Sequence, residues 1–531
     1  MLSRRYRLTF VIPIVALATS AVGRLEPALE GQRASGLDPI QYTFRVADGA
    51  KHIAEIEARI PTGGQPTVDL MMPVWTPGYY VVEDYAARVH SLSARAADGT
   101  ALDAAKPKPN RWRIQTNGTP TVTLTYRLLC QGRSVTSNWV DDNLGVINGG
   151  AAFITLAEDA RRPHEIKIDM PPAWKASASG LEPASGGAAN HYRAADFDTL
   201  VDSPIVAGDL DVHEFTVDGS KHVLVDAGER SNWDGKRAAE DIEKMVGEAR
   251  KFWGGLPFKR YVFLNVIRQG GGGLEHSNST LLTTSPKMTT PTKSWLGFVA
   301  HEYFHAFNVK RLRPVELGPF DYENPPTTTS LWLSEGGTTY FAQLMLVRAG
   351  VITREDFLES MSSAIASLQK SPGRLLQSLE QSSAEVWNNS NSGVGAKPTT
   401  VSYYVKGNVV AFLLDAHLRH VTGGKRSLDD VMRLAMQRYG GERGFTADEL
   451  RKTVEDVAGR NLKPWFTKTI GTAGELEYGE MLNWYGLRFS ADGGARSWQL
   501  EDRPRATGDQ RRHLDALVRS GNAERGSRTN R

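Results

Sequence analysis

The sequence predicts a multidomain protein with three units in series: an N-terminal all-β, sandwich-like domain, a mixed α/β domain, and a C-terminal α-helical region. Three observations carry this. A chain of 531 residues exceeds what one hydrophobic core organises, so two or three domains are expected. From about Gln41 to Phe215, short segments alternate apolar and polar residues between Gly and Pro turns, which is the period of half-buried strands. From about Trp233 helical and strand patterns mix, and beyond Gly350 the helical period dominates.

Residues 1–21 have the layout of a secretory signal peptide. Met1 to Arg7 is positively charged, Leu8 to Ala18 is mostly apolar, and small residues gather at Ala16, Ala18, Thr19, Ser20 and Ala21. Cleavage is expected after Ala18 or Ala21, giving an exported protein, periplasmic or secreted. An uncleaved anchor is disfavoured because the apolar run is short and Pro13 interrupts it, so no stable membrane insertion is expected after processing. The formal charge of +3 includes Arg4, Arg5 and Arg7 of this segment; the processed chain is close to neutral, and no basic patch argues for nucleic acid. Cys130 is the single cysteine, so stability must come without intramolecular disulfides.

The β domain is placed at 38–215. Tyr42–Val46, Ile53–Ala58 and Val122–Tyr126 alternate as strands. Within it, Pro73-Val74-Trp75-Thr76-Pro77-Gly78-Tyr79-Tyr80 is an aromatic turn suited to packing at a domain boundary or to lining a cleft. The mixed unit spans 216–350, with a helix over Lys236–Trp253, a continuous apolar strand over Tyr261–Ile267 and a short strand over Leu281–Thr284. Helices follow in 351–490, over Glu355–Gln369, Val409–His420, Leu428–Arg438 and Ala447–Ala458. The tail, 491–531, is charged, poor in large apolar residues, and expected to be disordered from Gly521.

The most informative segment is His301-Glu302-Tyr303-Phe304-His305. On a helix, histidines at i and i+4 share one face and can share one metal ion, with Glu302 beside the remaining coordination position as a general base. Phe298, Val299, Phe304 and Phe307 make this an apolar helix, where two histidines and a glutamate are poorly tolerated without a metal. A catalytic zinc needs a third protein ligand and an open position for water. Glu335, in the aromatic-rich stretch Leu331 to Phe341, is the candidate, because a carboxylate in a buried helix needs a cation. Asn308, Thr338 and Thr339 are near enough in sequence to be considered as partners of the ligands. Mixed α and β before the first ligand and mostly helix after it fit a thermolysin-like catalytic domain.

Two further segments bear on substrate. Gly270-Gly271-Gly272-Gly273-Leu274-Glu275-His276 follows the apolar strand; Gly272 and Gly273 permit close substrate approach, and Glu275 either faces the cleft from a strand edge or is solvated on a loop. Tyr403 and Tyr404 precede the apolar run Val409 to Leu414 of a predicted helix, where a phenol either stabilises an oxyanion or packs in the core.

At these residues the chain resembles the glycyl aminopeptidase family, a branch of the gluzincin zinc metallopeptidases. The likeness covers most of 38–490 and rests on Val74 to Gly78, Gly272 to His276, His301 to Pro314 (HEYFHAFNVKRLRP), Leu331 to Gly336, and Tyr404 to Gly407 (YVKG). It implies that His301, His305 and Glu335 bind Zn2+, that Glu302 activates water, that Glu275 anchors the free amine of a peptide, and that Tyr404 stabilises the oxyanion, with Tyr403 the alternative. The implied activity is a zinc-dependent aminopeptidase acting on peptides with free N-termini, Gly or Ala preferred. A zinc metalloendopeptidase of the same fold is the alternative. A non-catalytic binding protein stabilised by zinc is a third reading, disfavoured because structural sites fill four positions with protein ligands and no fourth is evident. Members usually carry a C-terminal PDZ domain; the roughly forty residues after Leu487 are too few for one, so none is expected here.

Overall fold

The computed structural model describes residues 37–388, 397–492, 494 and 497–519. The segment read as a signal peptide and the stretch from Gly521 read as disordered lie outside the described residues. Among the described residues no helix is long and apolar enough to cross a membrane.

The expected alternation produces long strands. An eight-stranded sheet runs in the order Glu182–Pro183, His191–Ala194, His164–Asp169, Ile40–Asp48, Ile53–Pro61, Thr121–Leu129, Val89–Ala96, Ala101–Leu102. Its pairings are antiparallel except that of Ile40–Asp48 with His164–Asp169. Inward residues such as Tyr42, Ile56 and Leu124 share one core with Leu70, Trp112 and Ile114 of a four-stranded sheet formed by Thr155–Leu156, Thr67–Met71, Arg111–Gln115 and Ala104–Lys108. This is two-layer sandwich packing. A third, four-stranded sheet (Ala176–Ser179, Ile205–Gly208, Leu144–Ile147, Trp139–Val140) packs towards the next domain, where Val146 and Val206 meet Val225 and Leu264.

The second sheet system has five strands, ordered Asp211–Val217, Ser220–Gly228, Arg260–Ile267, Ser279–Thr284, Gly273–Glu275. The expected boundary at 215/216 falls inside the first of these strands, which pairs with Ser220–Gly228 over its whole length; the division belongs near residue 210. The period-2 pattern of Asp211–Val217 matches the strands before it, so sequence alone assigns it to the wrong sheet. The central strand Arg260–Ile267 is parallel to both neighbours and buried on both faces, which explains its unbroken apolar run.

Helices Gly235–Trp253 and Lys293–His305 pack with the C-terminal helices into one continuous core, from Ala238 to Leu517. The break expected at 350/351 therefore separates no cores. The stretch around Glu335 is a π-helical turn, Trp332–Gly337, that runs on into the α-helix Thr338–Arg348; such widened turns frequently mark functional sites. Nor is residue 491 the start of a separate tail. Leu500–Asp502 pairs with Leu487–Phe489, and Leu514 and Leu517 of the helix Gly508–Val518 are buried against the helical core. Three well-placed apolar side chains anchor a segment whose average composition is polar.

Helix Tyr403–Val421 begins earlier than its apolar periodicity suggests, because Ser402 caps it by accepting the Val405 N–H. It lies directly on the Glu335 turn. A side-chain carbon added at Gly336 would sit 2.5 Å from Gly407 Cα, and one at Gly407 would sit 2.5 Å from the Trp332 carbonyl oxygen. Glycine at both positions lets two backbones touch and brings Tyr404 to Glu335. Gly407→Ala should destabilise the helical core by about 1–3 kcal/mol through overpacking; an unchanged midpoint in denaturant unfolding followed by tryptophan fluorescence would contradict the close approach.

Candidate metal and peptide-binding site

Helix Lys293–His305 is started by Thr292, whose hydroxyl accepts the Trp295 N–H at 3.1 Å. It presents His301 and His305 on one face, and the π-turn brings Glu335 opposite. The ligand atoms form a triangle: His301 Nε2 to His305 Nε2 is 3.0 Å, His301 Nε2 to Glu335 Oε2 is 3.4 Å, and His305 Nε2 to Glu335 Oε2 is 3.2 Å. Donors about 2.0–2.2 Å from a tetrahedral ion are separated by about 3.3–3.6 Å, so the three atoms form a triangle slightly tighter than one tetrahedral face.

Hydrogen bonding on the far side of each ring sharpens this. His305 Nδ1 faces the Asn308 carbonyl at 2.8 Å, so Nδ1 carries the hydrogen. Thr339 Oγ1 donates to the Glu335 carbonyl at 2.9 Å and accepts from His301 Nδ1 at 3.2 Å. With both rings neutral, their Nε2 atoms point lone pairs at each other and at a buried carboxylate. Two imidazole nitrogens and a carboxylate oxygen turned on one point form an arrangement that a cation satisfies, and the residues fit a zinc ion. Asn308 also donates to Thr338 Oγ1 (2.9 Å) and to the Leu333 carbonyl (3.0 Å), joining the histidine helix to the glutamate turn. Among the described residues, this is the one group of three or more potential ligands close enough to share an ion.

Glu302 lies beside the triangle, nearly buried, and its position depends on Gly273. A carbon added at Gly273 would stand 2.5 Å from Glu302 Oε1 and 2.6 Å from Phe298 Cζ. Burial pushes the Glu302 carboxyl well above its ordinary range, and the neighbouring carboxylates of Glu275 and Glu335 add to the shift. Gly273 opens the edge strand that carries Glu275; Gly272, expected to approach substrate, does not line the cavity but sits in the preceding turn, its carbonyl accepting the Thr283 N–H at 3.0 Å.

Glu275 is 3% exposed, and its Oε1 has no hydrogen-bond partner. Burial raises its proton affinity. Gly78 packs against this carboxylate so closely that any side chain there would collide with it. Together with Tyr79 and Tyr80, Gly78 closes a cavity of about 120 Å³ whose other walls are the three ligands, Glu302, Gly273, Glu275 and Tyr404. The aromatic turn thus does both things expected of it. Gly78 to Tyr80 line the cleft, while Trp75 packs between domains, donating its indole N–H to the Asp321 carbonyl at 2.7 Å.

Of the two tyrosines, Tyr404 faces the cavity, its ring 6.1 Å from that of His301. Burial, and then Glu335, push its phenol well above the ordinary value, which keeps it a hydrogen-bond donor. Tyr403 stacks behind it at 4.9 Å and does not line the cavity.

The structure thus brings His301, Glu302, His305, Glu335, Gly273, Glu275 and Tyr404 to one cavity. Sequence reasoning left the part played by Gly78 and Tyr80 open.

A β domain set over a cleft with a histidine-pair helix and a third acidic ligand defines a class of two-part peptidases. The chain belongs to the M61 peptidase family. The Peptidase M61 N-terminal domain matches residues 41–209 and the M61 glycyl aminopeptidase domain matches 294–410, together more than half of the chain. It is accordingly a hydrolase with peptidase activity, acting on peptides. Among solved structures it is similar to an aminopeptidase N family protein from Idiomarina loihiensis, with 28% identity, 84% of this chain and 78% of that chain covered, and a TM-score of 0.79. More distant likenesses show the shared fold. One is to an M1 zinc metallopeptidase from Deinococcus radiodurans (12% identity, 83% and 95% covered, TM-score 0.50). Another is to yeast LTA4 hydrolase in complex with bestatin (15% identity, 82% and 68% covered, TM-score 0.50). No curated protein matches the sequence.

Gly273→Ala should displace Glu302 by the better part of an ångström and lower peptidase kcat about 10²-fold, with metal content unchanged. Wild-type turnover by this variant would mean that Glu302 does not need the position described.

Proposed function

We propose that this protein is an exported, zinc-dependent aminopeptidase that removes N-terminal residues, Gly and Ala first, from peptides. The observation that carries the exopeptidase assignment is Glu275, a buried carboxylate with a bare oxygen in the same cavity as the metal ligands. A desolvated carboxylate oxygen without a partner is costly unless a donor arrives, and the α-ammonium of a peptide is such a donor. The wall made by Gly78, Tyr79 and Tyr80 supports the same reading, because it closes the cavity on the side where Glu275 lies. The small cavity favours short side chains. Export rests on the layout of residues 1–21.

His301, His305 and Glu335 would hold the zinc ion, which would supply Lewis-acid chemistry near neutral pH. The chain's own groups do the rest. Glu275 fixes the substrate's amine and so sets which carbonyl lies over the site. Glu302, with its raised proton affinity, takes a proton from the attacking water and passes it to the leaving amine. Tyr404, held protonated, donates a hydrogen bond to the oxygen on which negative charge develops.

Glu302→Gln should lower kcat about 10²- to 10⁴-fold while the protein retains zinc; full activity would sink this mechanism. Glu335→Ala should lose zinc in competition with a chelator, and retention at wild-type affinity would remove Glu335 from the ligand set. Glycyl and alanyl arylamides should be cleaved and N-acetylated peptides spared, whereas equal cleavage of blocked peptides would make the protein an endopeptidase.

A further inference from the structure

Glu275 sits on a poor support. Its strand, Gly273–Glu275, is three residues long, lies at the edge of the five-stranded sheet, and follows three more glycines at 270–272. A short edge strand entered through glycines has little of its own to hold a side chain in place. Its other end is tied across the domain boundary. Asp202 Oδ2 accepts the Ser277 N–H at 2.8 Å, and Asp202 Oδ1 lies 3.3 Å from His276 Nδ1. The same Oδ1 accepts from the buried Lys310 ammonium at 2.8 Å. Lys310 in turn donates its backbone N–H to the His305 carbonyl at 3.1 Å.

Asp202 is itself firmly mounted. It ends the helix Phe197–Val201, where its N–H bonds the Asp198 carbonyl at 2.9 Å, and Phe197, Leu200 and Val201 are buried in the core of the β domain. One carboxylate of the N-terminal domain therefore gathers the residue pair following Glu275 and the loop following the histidine helix.

We propose that Asp202 is a positioning residue for substrate binding: it fixes the Glu275 edge relative to the histidine helix, and so sets the affinity for the substrate's free amine. This rests on the reading of Glu275 as the amine anchor. A group acting through Glu275 should change KM more than kcat, and its effect should vanish when Glu275 can no longer bind an ammonium. A general loss of stability predicts neither.

The test is steady-state kinetics of the full-length chain on an alanyl arylamide, with Asp202→Asn, Glu275→Gln and the double variant. Asp202→Asn should raise KM about tenfold, within the range of couplings between contacting residues, with kcat changed less than about threefold. Its zinc affinity in chelator competition should stay at the wild-type value. On the Glu275→Gln background the same substitution should change KM less than about twofold. Additive effects, or a fall in kcat at unchanged KM, would overturn the proposal while leaving the Glu275 assignment standing. An unchanged KM in Glu275→Gln alone would overturn that assignment and this proposal with it. If Asp202→Asn fails to fold because Lys310 is left buried and unpaired, Asp202→Asn combined with Lys310→Met removes both charges and faces the same KM criterion.

Discussion

The rest of the structure is organised around one electrostatic imbalance. In a cavity of about 120 Å³ the chain gathers two imidazole nitrogens and three carboxylates, and Tyr404 is among the few donors facing them. Removing a carboxylate from water is penalised by several kcal/mol even after relaxation, and neighbouring carboxylates raise the penalty for one another. Such a cluster persists only where its members cannot move apart. The elements around it supply that restraint. Asn308 ties the histidine helix to the glutamate turn, Thr339 links His301 to the backbone of Glu335, and paired glycines press helix Tyr403–Val421 onto the π-turn.

This view changes the role of the β domain. Its sandwich core is independent of the site, but its margin is part of the site: Gly78 abuts the Glu275 carboxylate and Tyr80 closes the cavity. The reverse also holds. The segment around Tyr322, from the catalytic part, lies in the β-domain core; Arg111 pairs with Glu323, and the Val74 N–H bonds the Tyr322 carbonyl at 2.9 Å. Each domain inserts a segment into the other, so the loop from Trp75 to Tyr80 is held between two cores rather than hung from one. A backbone wall that must stay within contact distance of a carboxylate needs that double attachment.

Much of this was legible in the sequence because it follows from short-range periodicity and chemistry. The strands at 40–61 and 121–129, the helices beyond 350 and the two-histidine helix all obey their hydrophobic period. Glu335 was legible because a glutamate in an apolar helix requires an explanation. Three things were not. The strand Asp211–Val217 looks like its predecessors, and only its partner Ser220–Gly228 reveals which sheet it joins. The last helix docks through Leu514 and Leu517 within a polar stretch, too few apolar residues to outweigh the average. Asp202 lies about a hundred residues before Lys310 and sits in no motif; its role is a matter of three long-range hydrogen bonds. Periodicity reports which face of an element is buried, whereas the partner that meets that face is a property of the folded chain.

The helical region holds a second deeply buried carboxylate. Asp415 is as deeply buried as Glu275, yet it receives the Tyr340 hydroxyl at 2.8 Å, Arg419 Nε at 3.0 Å and the Leu428 N–H at 2.7 Å. The same fold that surrounds Asp415 with donors leaves Glu275 Oε1 without one, packed against the Gly78 backbone. Buried polar groups are normally paired, and exceptions require a reason. What separates the two carboxylates is access: Asp415 is enclosed by helices, while Glu275 opens onto the cavity that also holds the metal ligands. The donors missing around Glu275 are ones that a substrate brings with it, and consistency between local structure and global fold gives way where function requires it.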